Sequence, residues 1–334
     1  MKKLFFSLVA LMTATLSFAQ NTLVATLSHG KDVSMYYGTY ALRDALNAAQ
    51  SGDVINLSGG AFQAVNITKG ITLRGTGIDD AAPTYISGDF AINVPTGDAN
   101  RLSIEGIRST GNITMVGTFN NPYFVKSQFS SLGYNANAKI KNAMFADCRI
   151  SSEFILHGSS TVQFINSYVE SFRNDYSTKA AASFINCILR PNDSGNNPEY
   201  IGSSQLVNCI IYQTLSNEQL TYRLPSSSIA TNCVSVGYSN LFDDQAASTG
   251  NKKATFTQLF KNFTGTYSES QQFELTDKAK TTYLGTDGTE VGIHGGLLPY
   301  DSTPSYPQIT KMNVANKTTA DGKLSVEIEV SAAE

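Results

Sequence analysis

A short pattern returns five times between residues 144 and 235, and it restricts the chain to a repeat architecture. In each copy an Asn or Asp follows apolar residues and precedes a small residue, and successive copies lie 19, 20, 22 and 24 residues apart. A recurring interval of this length is the signature of a solenoid, in which each unit stacks on the one before it. The Asn or Asp positions of the five copies are Asp147, Asn166, Asn186, Asn208 and Asn232.

The length and composition of the repeat favour strands over helices. Helical repeats need roughly 33 residues or more, and leucine-rich repeats need a Leu ladder that this chain lacks. The copies are rich in Ile, Val, Phe and Thr and are interrupted by Asn, Gly and Ser, which is typical of short strands joined by tight turns. Asn also tolerates the left-handed backbone conformation that a sharp corner requires. The predicted fold class is therefore all-β, a right-handed parallel β-helix.

Two columns of residues are expected at the corner of this predicted β-helix. Coils stacked about 4.8 Å apart would place each Asn above the last and form a hydrogen-bonded ladder. The next position is small in every coil, as a tight inner corner requires. This small column is predicted to contain Gly106, Ser127, Cys148, Ser167, Cys187, Cys209 and Cys233.

The four Cys residues all fall in the small column. Cysteines of exported proteins often form disulfides. In parallel neighbouring strands, however, their Cβ atoms point the same way, which suits the geometry of a disulfide poorly. Buried free thiols that pack as small apolar groups are therefore the favoured interpretation, and disulfides remain the alternative.

The first 19 residues have the features of a signal peptide. Lys2 and Lys3 precede an apolar run at residues 4–16, and small residues stand before the expected cleavage site after Ala19. The run is too short for a permanent anchor, and we expect no membrane span elsewhere. The chain is therefore predicted to be exported to the periplasm, the cell surface or the medium, and it resembles an exported protein of a Gram-negative bacterium. A net charge of −3 gives no basic footprint for nucleic acid.

The N-terminal part of the chain resembles a known superfamily. Residues 45–57 read Ala-Leu-Asn-Ala-Ala-Gln-Ser-Gly-Asp-Val-Ile-Asn-Leu, and Gly-Ala-Phe at 60–62 and Ile-Thr-Lys-Gly-Ile-Thr-Leu-Arg-Gly at 67–75 follow. This opening resembles that of the pectin-lyase-like right-handed parallel β-helix superfamily. The resemblance implies the fold and a capping helix at about residues 39–50. It implies little about activity, because the superfamily includes lyases, hydrolases, adhesins and non-enzymes, and the chain has no clear match to a catalytic family.

We expect three segments: a signal peptide at 1–19, the β-helix with its N-terminal cap at 20–296, and a linker with a C-terminal β-hairpin tail at 297–334. Residues 283–296 resemble the closing coil of exported β-helix proteins. The tail is expected to be a hairpin, because apolar residues alternate after a turn at 320–323. These alternating residues are Leu324, Val326, Ile328 and Val330.

One apolar column conflicts with the assumed register. If the corner is placed as above, this column points outward, and an exposed apolar stripe requires a cover. Either the register beside the corner is off, or the apolar tail hairpin packs over the stripe. The column consists of Ile104, Val125, Ile165, Ile185 and Val207.

The catalytic patterns of β-helix enzymes are incomplete in this chain. Lyases that use calcium need clustered carboxylates, but the Asp pairs at 79–80 and 243–244 lie in loop-like surroundings and are interpreted as solvated turns. The glycosidase pattern lacks its Gly-His-Gly and Arg-x-Lys parts, and the three His residues are scattered. We therefore expect no metal and no cofactor, and the catalytic residues, if any, are unknown.

A binding surface is predicted on the strand that follows the corner. Residues two and four positions after the corner should point outward and form one strip. Aromatic faces flanked by hydrogen-bonding groups suit sugar rings, and an extended strip suits a polymer. The alternative is an ordinary polar sheet surface that contains Tyr. The candidate ligand-binding residues are Arg149, Tyr168, Glu170, Arg190 and Tyr212.

Three functions remain open on the sequence alone. The first is a non-catalytic carbohydrate-binding or cell-surface adhesion module that binds a polysaccharide or cell-surface glycan as a monomer. The second is a polysaccharide lyase or glycoside hydrolase acting on an acidic, plant or host polysaccharide, which requires acids and an Arg or Lys converging on neighbouring coils. The third is a structural spacer or assembly component.

Overall fold

The computed structural model describes residues 23–331 apart from 80, 96, 98–101, 135–137, 158–159, 175–179, 192–200, 202, 215–222, 244–247, 315–316 and 320. The predicted signal peptide lies outside the described residues. The described chain winds into a parallel β-helix, which confirms the predicted fold class. No helix in the described ranges is long and apolar enough to cross a membrane.

Sheet A forms one wall of the tube. In their order across the sheet its strands are β2 (Asp32–Tyr37), β1 (Val24–His29), β3 (Val54–Leu57), β5 (Thr72–Arg74), β8 (Ser103–Glu105), β11 (Tyr123–Val125), β14 (Ala143–Ala146), β16 (Thr161–Ile165), β18 (Ala181–Ile185), β20 (Gln205–Val207) and β22 (Ile229–Thr231). One strand, β1, pairs antiparallel with both of its neighbours β2 and β3, and from β3 onward the strands stack in parallel.

Sheet B forms the opposite wall and is parallel throughout the described strands. Its strands are β4 (Gly60–Gln63), β6 (Thr84–Ser87), β7 (Phe90–Ile92), β9 (Ile107–Met115), β12 (Gln128–Tyr134), β15 (Arg149–Leu156), β17 (Tyr168–Asn174), β19 (Ile188–Pro191), β21 (Ile210–Tyr212), β23 (Val234–Val236) and β24 (Lys252–Ala254). Two short pairs complete the strands, β10 (Thr118–Asn120) with β13 (Lys139–Lys141) and β25 (Gln308–Val314) with β26 (Val326–Ser331). The described helices are α1 (Ala41–Ala48), α2 (Phe256–Leu259) and α3 (Asp277–Thr282).

Helix α1 covers the N-terminal end of the tube, as the sequence predicts, although it is shorter than residues 39–50. It buries Ala41, Leu42, Ala45 and Leu46 against the first strands. The Lys69 ammonium donates to three carbonyl oxygens at the C-terminal end of the helix, at 2.6 to 3.0 Å. These carbonyls have no partner inside the helix, so Lys69 both pairs them and places a positive charge where the helix dipole favours one.

Phenylalanine rings fill the interior of the tube. Phe124, Phe145, Phe164 and Phe184 stack on successive strands of sheet A, with centroids 4.5, 4.8 and 5.2 Å apart. Rings from sheet B meet this stack edge to face, as Phe154 does on Phe164 at 4.9 Å. Each coil therefore buries the apolar face of its neighbour, which is the interaction that stabilises a solenoid.

Each coil turns from sheet A to sheet B at the predicted corner. The five repeat residues have φ between 45° and 56°, in the left-handed region. Asn adopts this conformation at little cost because its short polar side chain bonds locally. The corner residues are Asp147, Asn166, Asn186, Asn208 and Asn232.

The register of one early coil differs from the expectation. Val125 pairs with Glu105, and Gly106 (φ 67°) is consequently the corner residue, with Ile107 in the small column. Ile104 therefore points inward and is 1% exposed. Placing Gly106 in the small column and Ile104 on the outside is wrong, because the looser copy of the pattern is displaced by one residue.

The remaining small column is buried, and its four cysteines are free thiols, as favoured. Side chains of this column accept backbone N–H groups from the preceding coil. The Cys148 N–H donates to Ser167 Oγ at 3.0 Å, and the Cys209 N–H donates to Cys233 Sγ at 3.4 Å. Burial raises the pKa of the Cys148, Cys209 and Cys233 thiols, so they remain protonated.

After β24 the chain folds back over the outside of the tube. Residues 283–306, the strap, run along the corner column towards the N-terminal end. Thr286 N–H donates to Asn208 Oδ1 at 2.8 Å, and Asn166 Nδ2 donates to two strap carbonyls at 2.8 and 2.9 Å. These two corners therefore bind the strap with the amides that were expected to form a ladder. Residues 283–296 contribute no strand to either sheet, so the expectation of a closing coil is wrong.

Charged and polar contacts hold the C-terminal half of the strap. Lys126 Nζ lies 2.9 Å from Asp301 Oδ2 and donates to the Thr303 carbonyl at 2.5 Å. The Glu105 carboxylate accepts the Ser305 N–H at 2.8 Å and also the Ser305 hydroxyl. The strap therefore reaches from the coil of β20 to the coil of β8.

The apolar column beside the corner is largely covered. Val125 is 6% exposed, and Ile165, Ile185 and Val207 are half-buried. Residues 326–330 of strand β26 are exposed, so they do not cover the column. The sequence offered two explanations, a register error or a cover by the tail hairpin. A register error applies to Ile104, whereas Val125, Ile165, Ile185 and Val207 do face outward.

Replacing Asn166 with Ala is expected to lower the free energy of unfolding by about 2 to 4 kcal/mol. A left-handed Ala costs about 1–2 kcal/mol, and the two strap carbonyls lose their donor. Asn166→Gly is the matched variant, because Gly adopts the corner conformation and only the hydrogen bonds to the strap are lost. We expect it to lower the free energy of unfolding by less than Asn166→Ala does. Urea denaturation followed by circular dichroism measures both, and equal losses would contradict a contribution from the corner conformation.

Replacing Asp147 with Asn is expected to stabilise the protein at pH 8 but not at pH 4. Burial raises the pKa of Asp147 to about 7 despite the opposing charge of Lys126, and the charge of Asp301 adds to the rise. A raised carboxyl pKa means that stability is lost as the pH rises from about 4 towards 7.

We expect Asp147→Asn to raise the free energy of unfolding by about 1 to 3 kcal/mol at pH 8. This is less than the full pKa shift corresponds to, because Asp147 is partly exposed and solvent screens its charge. The measurement is urea denaturation at both pH values. An equal gain at pH 4 would mean that the carboxylate charge is not the cause.

Candidate functional site

The predicted binding strip points away from the interior, but it is not an open surface. Arg149, Tyr168 and Tyr212 are at most 1% exposed. The side chains of Glu170 and Arg190 are 14% and 30% exposed. The expectation of a solvent-facing strip is therefore corrected, whereas a role of these residues in ligand binding remains a prediction.

The strip is covered by the chain that follows β24. Residues 255–306, the covering layer, pack on the outer face of sheet B and form a second hydrophobic cluster there. This face carries apolar residues in several coils, and covering them removes that area from water. The cluster contains Tyr168, Ile188, Ile210, Tyr212, Val234 and Val236 of sheet B, and Leu259, Phe260, Phe263, Phe273, Leu275, Ala279, Val291 and Ile293 of the covering layer.

Four of the five strip residues come together in one group, the tyrosine–glutamate cluster. The Glu170 carboxylate accepts the Tyr168 hydroxyl and, at 2.8 Å, the Tyr212 hydroxyl. The two hydroxyl oxygens lie 2.7 Å apart, and Arg190 pairs with the other carboxylate oxygen at 3.1 Å. These contacts join β17, β19 and β21.

Burial raises the pKa of both Tyr168 and Tyr212 well above the ordinary range, and the nearby Glu170 charge adds to the effect. The phenols therefore remain protonated and act as donors to the carboxylate. The Tyr168 ring stacks on Tyr267 at 5.0 Å and on Phe273 at 4.4 Å. The cluster thus attaches the covering layer to the sheet.

Arg149 belongs to a different group, the arginine cluster, with Arg108, Asp79 and Glu269. The two terminal nitrogens of Arg149 donate to the two Asp79 oxygens at 3.1 and 3.0 Å. Arg108 donates to the Glu269 carboxylate at 2.9 Å and lies 3.7 Å from Asp79. Asp79 therefore bridges two guanidinium groups on strands β9 and β15, which flank β12.

An aromatic ring lies near each guanidinium. The Arg108 Cζ atom is 5.5 Å from the Tyr85 centroid, and the Arg149 Cζ atom is 5.2 Å from the Tyr300 centroid. Burial alone would lower the pKa of Arg149, but Tyr300 and Asp79 outweigh that effect and the pKa is raised. Arg149 is therefore a fixed positive charge and not a proton acceptor.

Four of the ten buried polar atoms without a partner among the described residues lie at Arg149 or beside it. They are Gln128 Oε1, Arg149 Nε, Tyr267 Oη and Tyr300 Oη. Gln128 lies on β12, paired with Arg108 on one side and Arg149 on the other. An unpaired buried polar group costs about 1–3 kcal/mol, so a group that pairs with these atoms would gain free energy here.

The arginine cluster meets solvent on its acidic side. The Glu269 side chain is 62% exposed and the Asp79 side chain 32%, whereas Arg108 is 10% exposed. The arrangement can bind an anionic, hydroxyl-rich group if that group replaces an exposed carboxylate. Among the residues that the structure describes, no group of three His, Cys, Asp or Glu side chains could hold a metal ion.

Sequence reasoning missed most of this cluster. Asp79 was expected in a solvated turn, and instead it bridges the two arginines. Arg108 stands two positions after the Gly106 corner, as Arg149 does after Asp147, so the correct register would have revealed it. The residues of the covering layer have no repeat register, and nothing in the sequence places them here.

Comparisons with family models, curated proteins and solved structures find no match to this chain. The parallel β-helix rests on the strand pairing described above.

Replacing Asp79 with Asn is expected to lower the free energy of unfolding by about 3 kcal/mol. The change removes the bidentate partner of Arg149, and an unpaired buried charge is costly. Asp277→Asn is the matched control. Asp277 is 95% exposed in a weak pair with Lys261 and should change stability by less than about 0.5 kcal/mol. Urea denaturation compares the two, and equally small effects would show that the Arg149 pair does not stabilise the fold.

Proposed function

We propose that the protein is an exported, non-catalytic carbohydrate-binding or cell-surface adhesion module of the pectin-lyase-like superfamily. We further propose that it binds acidic polysaccharide at the arginine cluster. The observation that carries this proposal is the group of buried polar atoms without a partner on Gln128, Arg149, Tyr267 and Tyr300, next to the guanidinium of Arg108.

A carboxylate of the ligand would take the place of Glu269 on Arg108. Arg binds carboxylates through two parallel hydrogen bonds, and a mostly buried guanidinium gives such a pair more energy than an exposed one. Asp79 would remain on Arg149, so that no buried charge is left alone. Ligand hydroxyl groups would pair with Gln128 Oε1 and Tyr300 Oη, and the Tyr85 ring would offer an apolar face to the sugar.

The protonated state of Arg149 and of the two tyrosines beside it supports a non-catalytic role. The pKa of Arg149 is raised, and burial raises the pKa of Tyr267 and Tyr300. These groups hold their protons at neutral pH, whereas a general base needs a pKa near the working pH.

A polysaccharide lyase or glycoside hydrolase is the second candidate function. It is favoured by the convergence of Asp79 and Glu269 with two arginines on neighbouring coils, the arrangement that such an enzyme requires. A structural spacer, the third, would bind no glycan at this cluster.

Export is part of the proposal and depends on the features of residues 1–19. All residues of the arginine cluster come from one chain, so glycan binding needs no second copy. Monomeric behaviour remains a prediction from the sequence.

The test is binding of the purified protein to polygalacturonate and to neutral dextran by isothermal titration calorimetry, with absorbance and reducing-end assays run in parallel. We expect binding to polygalacturonate alone, weakened at least tenfold in Arg108→Gln. Glu269→Gln should strengthen binding severalfold, because the competing carboxylate is removed while the fold contacts remain. Addition of roughly 0.5 M salt should weaken binding to polygalacturonate, because salt shortens the Debye length.

The matched control is Glu274→Gln. Glu274 is 54% exposed and pairs with Lys261 at 3.3 Å, so its replacement should leave binding unchanged. Absence of binding in both the wild type and Glu269→Gln would refute the glycan site. Release of unsaturated or reducing ends would replace the non-catalytic proposal with the enzymatic one.

A further inference from the structure

Strand β2 presents an exposed apolar stripe at the N-terminal end of sheet A. Val33, Met35 and Tyr37, the β2 stripe, are 62%, 54% and 60% exposed. β2 is the outermost strand of the sheet and pairs only with β1 among the described strands. An exposed edge strand with alternating apolar residues is a template for pairing with another chain.

The C-terminal tail presents a second stripe of the same kind. Val326, Ile328 and Val330, the tail stripe, are 48%, 51% and 58% exposed. Their strand, β26, pairs only with β25 among the described strands. A two-stranded hairpin is marginally stable in water without packing against another element. The tail therefore has the features of a segment that acquires a partner.

The charges of β26 disfavour pairing with its own copy. Glu327 and Glu329 alternate with the apolar residues. Any register that aligns the apolar residues of two β26 strands therefore places Glu opposite Glu. Like charges directly opposite each other destabilise a strand pair.

The β2 strand is a better match for β26. In an antiparallel pair with Met35 opposite Ile328, Val33 faces Val330 and Tyr37 faces Val326. The two glutamates then face Ser34 and Tyr36 of β2, and no like charges meet. Both strands are six residues long, so the two stripes lie side by side on one sheet face and make cross-strand contacts along their whole length.

We propose that β26 of one copy adds to the β2 edge of a second copy. The contact joins the tail stripe of one copy to the β2 stripe of the other. The first copy therefore keeps a free β2 stripe, and the second keeps a free tail stripe. Such heterologous contacts propagate into open chains, or into rings where the rotation closes. This replaces the expectation of a monomer, and it does not depend on the arginine cluster. A chain of copies would give the proposed adhesion module several binding sites in a row, which raises avidity.

The test is sedimentation velocity of the mature full chain over a hundredfold range of protein concentration. We expect the wild type to shift from monomer to larger species as the concentration rises. Met35→Lys and Ile328→Lys should each remain monomeric, because a Lys on an edge strand opposes strand addition. An equimolar mixture of the two variants should form dimers and nothing larger, since each supplies the stripe that the other lacks.

Leu297→Lys is the control for a change of exposed apolar residue to Lys. Leu297 is 92% exposed and lies on neither stripe, so this variant should associate like the wild type. Circular dichroism confirms the fold of each variant. A wild type that stays monomeric throughout would overturn the proposal. So would association of Met35→Lys alone, which indicates tail-to-tail pairing, or of Ile328→Lys alone, which indicates pairing between β2 strands.

Discussion

The structure depends on a backbone requirement at one place in each coil. The passage from sheet A to sheet B needs a residue with positive φ, and every described corner from Gly106 to Asn232 meets it. Where the residue is Asn, the left-handed conformation costs little and leaves an amide on the outside of the turn. Because the corners lie above one another, these amides form a regular row of donors and acceptors. The strap binds to that row, so the residue that bends the chain also fixes its C-terminal segment.

The covering layer explains why the outer face of sheet B combines apolar residues with buried charges. In the later coils this face is apolar, and Phe and Leu side chains of the layer pack against it. In the earlier coils it carries Arg108, Gln128 and Arg149, and the layer contributes Glu269 and Tyr300 to pair or enclose them. A buried charge is tolerated only when it is paired, so Asp79 is required for the layer to close over Arg149. Four buried polar atoms of this region, on Gln128, Arg149, Tyr267 and Tyr300, are left without a partner.

Features that repeat from coil to coil could be predicted from the sequence. The corner Asn residues, the buried free thiols and the capping helix follow from local periodicity and from steric limits on φ, and each needs only neighbouring residues to explain it. The predicted register is wrong at Gly106. The pattern places Glu105 at the corner position, whereas Gly106 is the residue with positive φ. The burial of Tyr168 and Tyr212 could not be predicted, because their shared partner Phe263 lies 95 residues after Tyr168 and 51 residues after Tyr212 and follows no repeat. Asp79 was misread for the same reason, since its role is defined by Arg149, 70 residues away.

The strap alters how such a tube can come apart. In an ordinary solenoid each coil touches only its neighbours, so the ends can fray while the middle persists. Here one segment contacts Asn208 near one end and Glu105 five strands earlier in sheet A. Unfolding of an end coil would release contacts of the strap that also hold the earlier coils. Thermal unfolding of the tube should therefore be more cooperative than that of an ordinary solenoid. The same fastening joins Glu105 to Ser305, 200 residues apart in sequence. Completion of the native state must therefore await the end of the chain, and folding is expected to be slow.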